Sequence, residues 1–314
     1  MSKKRLAAGT ALVLAVATVA AVLSAGAGAK TTQSQANVKL GFITKFPVDF
    51  FFTLQNGAKT WNKSHKNVTI MFAQGKSATD DAGEIAAIQN MVASGVKGIA
   101  ITPTSPAVVS ALNKAVKAGV KVVLMDNDLP TWKAKTAVVA TNNLKGGTLA
   151  GKYLATKLKA GDTLGILEGV PGVPALDDRV NGMLAGLGSL KSQIKVVSKL
   201  ETDCDQTKGA QAAQTMLTAN PNLTAIYSAC GPPALGAIQS IKNAGVKSII
   251  LVGFDGLTDE VTAIKAGTES ASVAQHPTKI GSLGVDTLYK AVLGKKVPKK
   301  VDTGTSLITA QNAK

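Results

Sequence analysis

Histidine and cysteine are scarce in this chain: its 314 residues hold two of each. Neither His65 nor His276 has a partner at metal-ligand spacing, so no metal centre is expected. A nucleophilic triad needs a Ser or Cys beside a His base, and no G-x-S-x-G elbow is present. Aromatics make up 4% of the chain, too few for a base-stacking nucleic-acid platform. The glycine-rich segment 168–174 lacks the Lys-Ser/Thr of a phosphate-cradling loop and does not match G-x-G-x-x-G, which argues against a nucleotide site. Beyond the N-terminus, no apolar stretch is long enough to span a bilayer. No cofactor is expected.

The first 29 residues differ from the rest. Lys3, Lys4 and Arg5 precede an apolar run from Ala11 to Leu23, and small residues lead to Ala27-Gly28-Ala29. Basic, then apolar, then small is the order of a secretory signal peptide with an A-x-A site. Cleavage near Ala29 leaves 285 residues, enough for two domains. The exit carries no cysteine for a lipid anchor, so the mature protein is expected to be exported, periplasmic or extracellular. Export places Cys204 and Cys230 in an oxidising space, where a pair usually bonds. The formal charge of +16 falls to +13 without the three leader cations. The lysines are scattered, with one dense cluster at Lys295, Lys296, Lys299 and Lys300, so the charge reads as a solvated surface rather than a nucleic-acid site.

From residue 38 a strict alternation begins. Short, nearly continuous apolar runs at 38–44, 68–73, 97–102, 120–125 and 136–140 alternate with helical patterns near 51–64, 80–94 and 105–118. The rhythm repeats, with strands at 162–168, 194–200, 223–229, 248–254 and 270–275. A helix near 278–292 and a strand near 303–309 close the chain. Strands that are apolar throughout have both faces covered, and the alternation predicts doubly wound parallel sheets. The fold class is therefore α/β, with two similar halves.

In such sheets ligands sit beyond the carboxyl ends of the strands, and two facing sheets make one interdomain cleft. Residues just after the strands are polar or aromatic. A sugar or polyol suits them: its C–H face wants an aromatic platform, offered by Phe50 and Phe51. Its hydroxyls want planar hydrogen-bonding groups, offered by Asp49, Asp126, Asn127, Arg179, Asp255 and Gln275. The alternatives are core packing for the Phe pair and capping of the next helix for Asp126 and Asp255. Asp126 and Asp255 also leave a glycoside-cleaving carboxylate pair open.

At these residues the sequence resembles the ribose- and arabinose-binding proteins of bacterial sugar ABC transporters, periplasmic binding proteins related to the LacI family. The resemblance covers nearly all of 38–309. It rests on Val252-Gly253-Phe254-Asp255-Gly256, Ala274-Gln275-His276-Pro277, Ala234-Leu235-Gly236-Ala237, and Asp203-Cys204-Asp205 with Lys208-Gly209. It implies a type I binding-protein fold whose two lobes are joined by three crossings, near 141–143, 275–277 and 300–304. The N-lobe is then 38–140 completed by 277–302, and the C-lobe 141–276 completed by 303–314. Lys45 and Asp49 match sugar-contacting positions of the arabinose-binding pattern. Asp126, Arg179, Asp255 and Gln275 match cleft positions of the ribose-binding one, in which Asn127 replaces an Arg and Val48 an Asn. Cys204 stands where that pattern has an aromatic, and Cys230 where it has an Asn. Both follow strands expected to flank 162–168, which points to one bond between neighbouring loops; two free thiols facing the ligand is the alternative.

The resemblance implies a non-enzymatic, monomeric substrate-binding subunit of a sugar importer, with a monosaccharide or polyol as ligand and an ABC permease and its ATPase as partners. A sensory binding protein read by a receptor is the alternative. The LacI relatives that bind DNA carry a helix-turn-helix where a leader pattern stands here, which argues against a repressor.

Overall fold

Twelve strands and nine helices, among the described residues, build two sheets of six strands each. The structure is a computed structural model, and it describes residues 37–246 and 248–314. The expected leader and its cleavage site lie outside them. No described helix is long and apolar enough to cross a membrane.

The first sheet holds β1 (Val38–Thr44), β2 (Val68–Gln74), β3 (Gly98–Ile101), β4 (Lys121–Met125), β5 (Ala137–Ala140) and β11 (Lys300–Asp302), in the order β11-β5-β4-β3-β1-β2. All its pairings are parallel. Helices α1 (Asp49–Lys63), α2 (Asp81–Ala93), α3 (Val109–Lys117) and α9 (Pro277–Val292) cover it. The second sheet holds β6 (Thr163–Glu168), β7 (Lys195–Glu201), β8 (Ala225–Ser228), β9 (Ile250–Asp255), β10 (Ala271–Ala274) and β12 (Ser306–Thr309), in the order β12-β10-β9-β8-β6-β7. Its helices are α4 (Asn143–Ala155), α5 (Pro174–Gly186), α6 (Gln206–Ala219), α7 (Gly231–Asn243) and α8 (Thr258–Ala266).

The two doubly wound lobes follow from the strand patterning. Central strands such as β3 and β4 are buried on both faces, and Phe42, Ile99, Ile101 and Leu124 are fully enclosed. Each such side chain contributes about 1.5–3 kcal/mol by leaving water. Edge strands depart from the expectation of two covered faces. β7 is exposed or half-exposed throughout, because it has a neighbour on one side only. Two further details differ. The short β11 is a separate parallel strand, and β12 begins only at Ser306 and runs antiparallel to β10.

Proline at the first turn starts α5, α7 and α9, where the missing N–H costs nothing. Asp80, Asn142 and Asp205 cap α2, α4 and α6 by accepting from backbone amides. The chain enters the second sheet between β5 and β6, returns after β10 to make α9 and β11, and crosses a third time to reach β12.

One packing feature sets the site directly. Helices α4 and α5 touch backbone to backbone. A Cβ on Gly147 would lie 2.1 Å from the Arg179 carbonyl oxygen, and one on Gly151 would lie 2.0 Å from that of Met183. This approach brings Asn143, at the start of α4, to the Arg179 side chain on α5.

Candidate functional site

Strands of both sheets end toward a cavity of about 720 Å³. The loops after β1, β2 and β4 line it from one lobe. Those after β6, β7, β8, β9 and β10 line it from the other. Lys45, Asp49, Phe50, Phe51, Asp126, Asn127, Arg179, Cys204, Cys230, Asp255 and Gln275 all reach this one space, although they are spread over 230 positions of sequence.

The best-organised part is in the second lobe. Arg179 is 4% exposed, and its guanidinium is held on four sides. Nε donates to Asn143 Oδ1 at 2.9 Å, and Nη1 donates to the Ala229 carbonyl at 2.9 Å and to Asp255 Oδ1 at 3.1 Å. Its Cζ lies 4.0 Å from the centre of the Phe254 ring, a cation–π contact. Asp255 Oδ1 also accepts from Gln275 Nε2 at 2.7 Å, and Oδ2 accepts from the Gly231 amide at 3.0 Å. Asp255 therefore supports the start of α7, not of α8, the helix that follows it in sequence. Its backbone stands at φ 107°, outside the regions most side chains adopt; the bonds to three elements hold it there.

The first lobe is less paired. Asp126, at φ 62°, is 7% exposed, and its Oδ1 is buried without a hydrogen-bond partner. Gln275 Oε1 is likewise buried and unpartnered. Both are acceptors waiting for donors, since leaving them empty costs free energy. Burial pushes the Asp126 carboxyl above its ordinary range, while Arg179 and Lys45 oppose the shift and Asp255 adds to it. Burial also pulls the Lys45 ammonium below the usual lysine range, against the attraction of Asp126 and Glu84. Asn127 donates to the Pro103 carbonyl at 3.3 Å.

Aromatic rings form the facing wall. Phe51 is 5% exposed and belongs partly to the core, which answers the packing alternative for that ring. Phe50 is half-buried, and Phe46 and Phe50 each stand edge-on to Phe51 at 5.3 Å. Asp49 is exposed at the first turn of α1.

Cys204 and Cys230 are joined, with Cα atoms 5.5 Å apart. The bridge links the loops after β7 and β8, the two strands that flank β6. His276 does not line the cavity; it precedes α9 at the crossing.

Sequence reasoning noted Phe46 and Asn143 among the residues after strands without giving them a role, and it missed Leu176 and Leu257. Asn143 had a visible signal, a polar residue directly after β5. The leucines had none, since an apolar residue in a helical pattern reads as core.

A periplasmic binding protein domain matches residues 40–296. The ribose import binding protein of Salmonella typhimurium is 33% identical over 313 residues, covering 99% of this chain and all of that one. The D-ribose/D-allose-binding protein of Pseudomonas aeruginosa is 31% identical, over 83% of this chain and 85% of that one. This chain belongs to the periplasmic binding protein family. Among solved structures, an ABC transporter solute-binding protein from Agrobacterium vitis with bound D-fucose superposes with a TM-score of 0.82 at 30% identity, over 87% of this chain and 96% of that one. The family is one of periplasmic binding proteins that serve import. Membership agrees with the two parallel-sheet lobes described above.

Proposed function

We propose that this protein is the substrate-binding subunit of a sugar ABC importer, capturing one monosaccharide or polyol between its lobes and presenting it to a permease and ATPase. The observation that carries the reading is the pairing of an aromatic wall with two buried, empty acceptors, Asp126 Oδ1 and Gln275 Oε1. A ring or polyol backbone lies against Phe50 and Phe51, and its hydroxyls donate to those oxygens. Lys45, Asp49, Asn127, Arg179 and Asp255 supply the remaining polar contacts. The relatives' sugars, ribose, allose and fucose, belong to the same chemical class.

Capture is favoured over cleavage by the state of Asp255. Both of its oxygens are committed to Arg179, Gln275 and Gly231, so it is a support and not a free nucleophile or base. The three chain crossings act as a hinge; ligand contacts to both lobes favour the closed form, and the permease reads that shift. The protein acts as an exported monomer, released from its leader near Ala29.

Isothermal titration of the purified chain against pentoses, hexoses and polyols tests this. Expected is one-to-one binding of at least one of them, lost in Asp126→Ala. Turnover of a bound sugar by the protein alone would refute it. Saturable uptake in cells that needs the neighbouring permease separates transport from sensing.

A further inference from the structure

The second lobe turns two different surfaces to the cavity. Beside the crossings stand Arg179, Asp255 and Gln275, which are joined to one another. Adjoining them is the Cys204–Cys230 bridge, since Ala229 and Gly231, on either side of Cys230, bond Arg179 and Asp255. The bridge packs on the Cα of Gly169. A Cβ built there would lie 2.9 Å from Cys204 Sγ, 3.2 Å from Cys230 Sγ and 2.4 Å from Leu176 Cδ1. Leu257 continues the surface, with its Cδ1 2.7 Å from the Cβ position of Gly231, the residue after Cys230. Bridge, Leu176 and Leu257 therefore form one apolar patch lining the cavity.

Several groups next to this patch are already paired, while Gln206, Lys208 and Asp259 also line the cavity. The Gly231 amide donates to Asp255 Oδ2, and the Ser228 hydroxyl donates to the Cys230 carbonyl at 2.6 Å. The Asp205 carboxylate accepts from the Lys208 amide, and Asp203 pairs with the Lys208 ammonium. A bridged sulfur has no S–H to donate and accepts weakly. The empty acceptors, Asp126 Oδ1 and Gln275 Oε1, lie on Asp126 and on the crossing residue, not on the bridge patch. The sulfurs are thus a carbon-accepting face within a polar cavity.

We propose that the Cys204–Cys230 bridge is a specificity element that selects a deoxy monosaccharide, with a methyl or methylene carbon of the ligand seated against the sulfurs. The inference rests on the sugar-binding function proposed above. A hydroxyl pressed against the sulfurs gives up its water for a weak acceptor, which weakens binding by roughly tenfold or more.

Titration of the oxidised protein with matched pairs reads this directly: ribose against 2-deoxyribose and 5-deoxyribose, galactose against 6-deoxygalactose, mannose against 6-deoxymannose. At least one deoxy member is expected to bind tenfold or more tighter than its parent. The Cys204→Ser/Cys230→Asn variant, which puts hydrogen-bonding groups on the wall, is expected to bring that pair within about threefold or reverse it. The Cys204→Ala/Cys230→Ala variant keeps carbon there and is expected to retain the preference. Parents that bind as tightly as every deoxy partner overturn the inference and leave sugar binding intact. A preference untouched by the Ser/Asn change overturns it too. No binding by any sugar removes the sugar-binding function and this inference together. Should the variants fail to fold, the wild-type pairs decide alone.

Discussion

Replacing Asp255 with alanine probes the centre of the second lobe without any ligand. Its carboxylate accepts from Arg179 at 3.1 Å, from Gln275 at 2.7 Å and from the Gly231 amide at 3.0 Å. The ion pair is enclosed: the Arg179 and Asp255 side chains are 5% and 12% exposed, so solvent screens it little. Asp255→Ala leaves a buried guanidinium facing an unpaired amide, with only Asn143, the Ala229 carbonyl and the Phe254 ring left around it. Breaking one side of such a pair costs about 3–5 kcal/mol. At about 2–4 °C per kcal/mol, the melting temperature of the ligand-free protein should fall by roughly 6–20 °C. Calorimetry and urea unfolding of the apo protein measure this. Arg179→Met alone should also destabilise, and the double variant should lose less than the sum of the two, because it removes both charges at once. A loss below about 1 kcal/mol for Asp255→Ala, or strict additivity in the double variant, would show that the pair is not enclosed as described.

Other outcomes follow from the same structure. Asp126→Ala should weaken sugar binding by roughly tenfold or more on titration, since it removes a buried acceptor that no protein donor uses. Thiol titration of the unfolded protein should find no free cysteine before reduction and two after it, and Cys204→Ser/Cys230→Ser should cost about 3 kcal/mol of stability. Gly147→Ala should destabilise by about 1–3 kcal/mol in urea, because the added methyl meets the Arg179 carbonyl at 2.1 Å and must part α4 from α5. Burial raises the Glu84 carboxyl from 4.5 to about 7, so the fold keeps a proton there that the unfolded chain has lost. Stability from this group is complete below pH 4.5, falls as the pH rises toward 7 and then levels off, and Glu84→Gln should flatten that stretch of the pH–stability curve.

Much of the fold was legible in the sequence because parallel sheets write themselves as apolar runs. β1 was readable to the residue at 38–44, since both of its faces are covered by helices. β11 was not, because three residues with a charged start and end carry no period. β12 was placed three residues early for a related reason: the third crossing, 303–305, is polar but has no turn signal strong enough to break the run. The cleft residues were visible as polar or aromatic positions after strands, and this topology sends all such positions to one side.

The sequence by itself determined the alternation, the two lobes and many of the polar and aromatic side chains that meet in the cleft, because each depends on spacing along the chain. The tertiary structure alone decided what those side chains do to one another. Arg179 and Asp255 are 76 residues apart, and only the packing of α4, α5, β8 and β9 makes them a pair. Asp255 supports α7 instead of the helix next to it in sequence, because sheet order sets β9 beside β8. Asp126 and Gln275 keep empty acceptors since burial and partners are properties of the assembled lobes, and no local pattern in the chain records them.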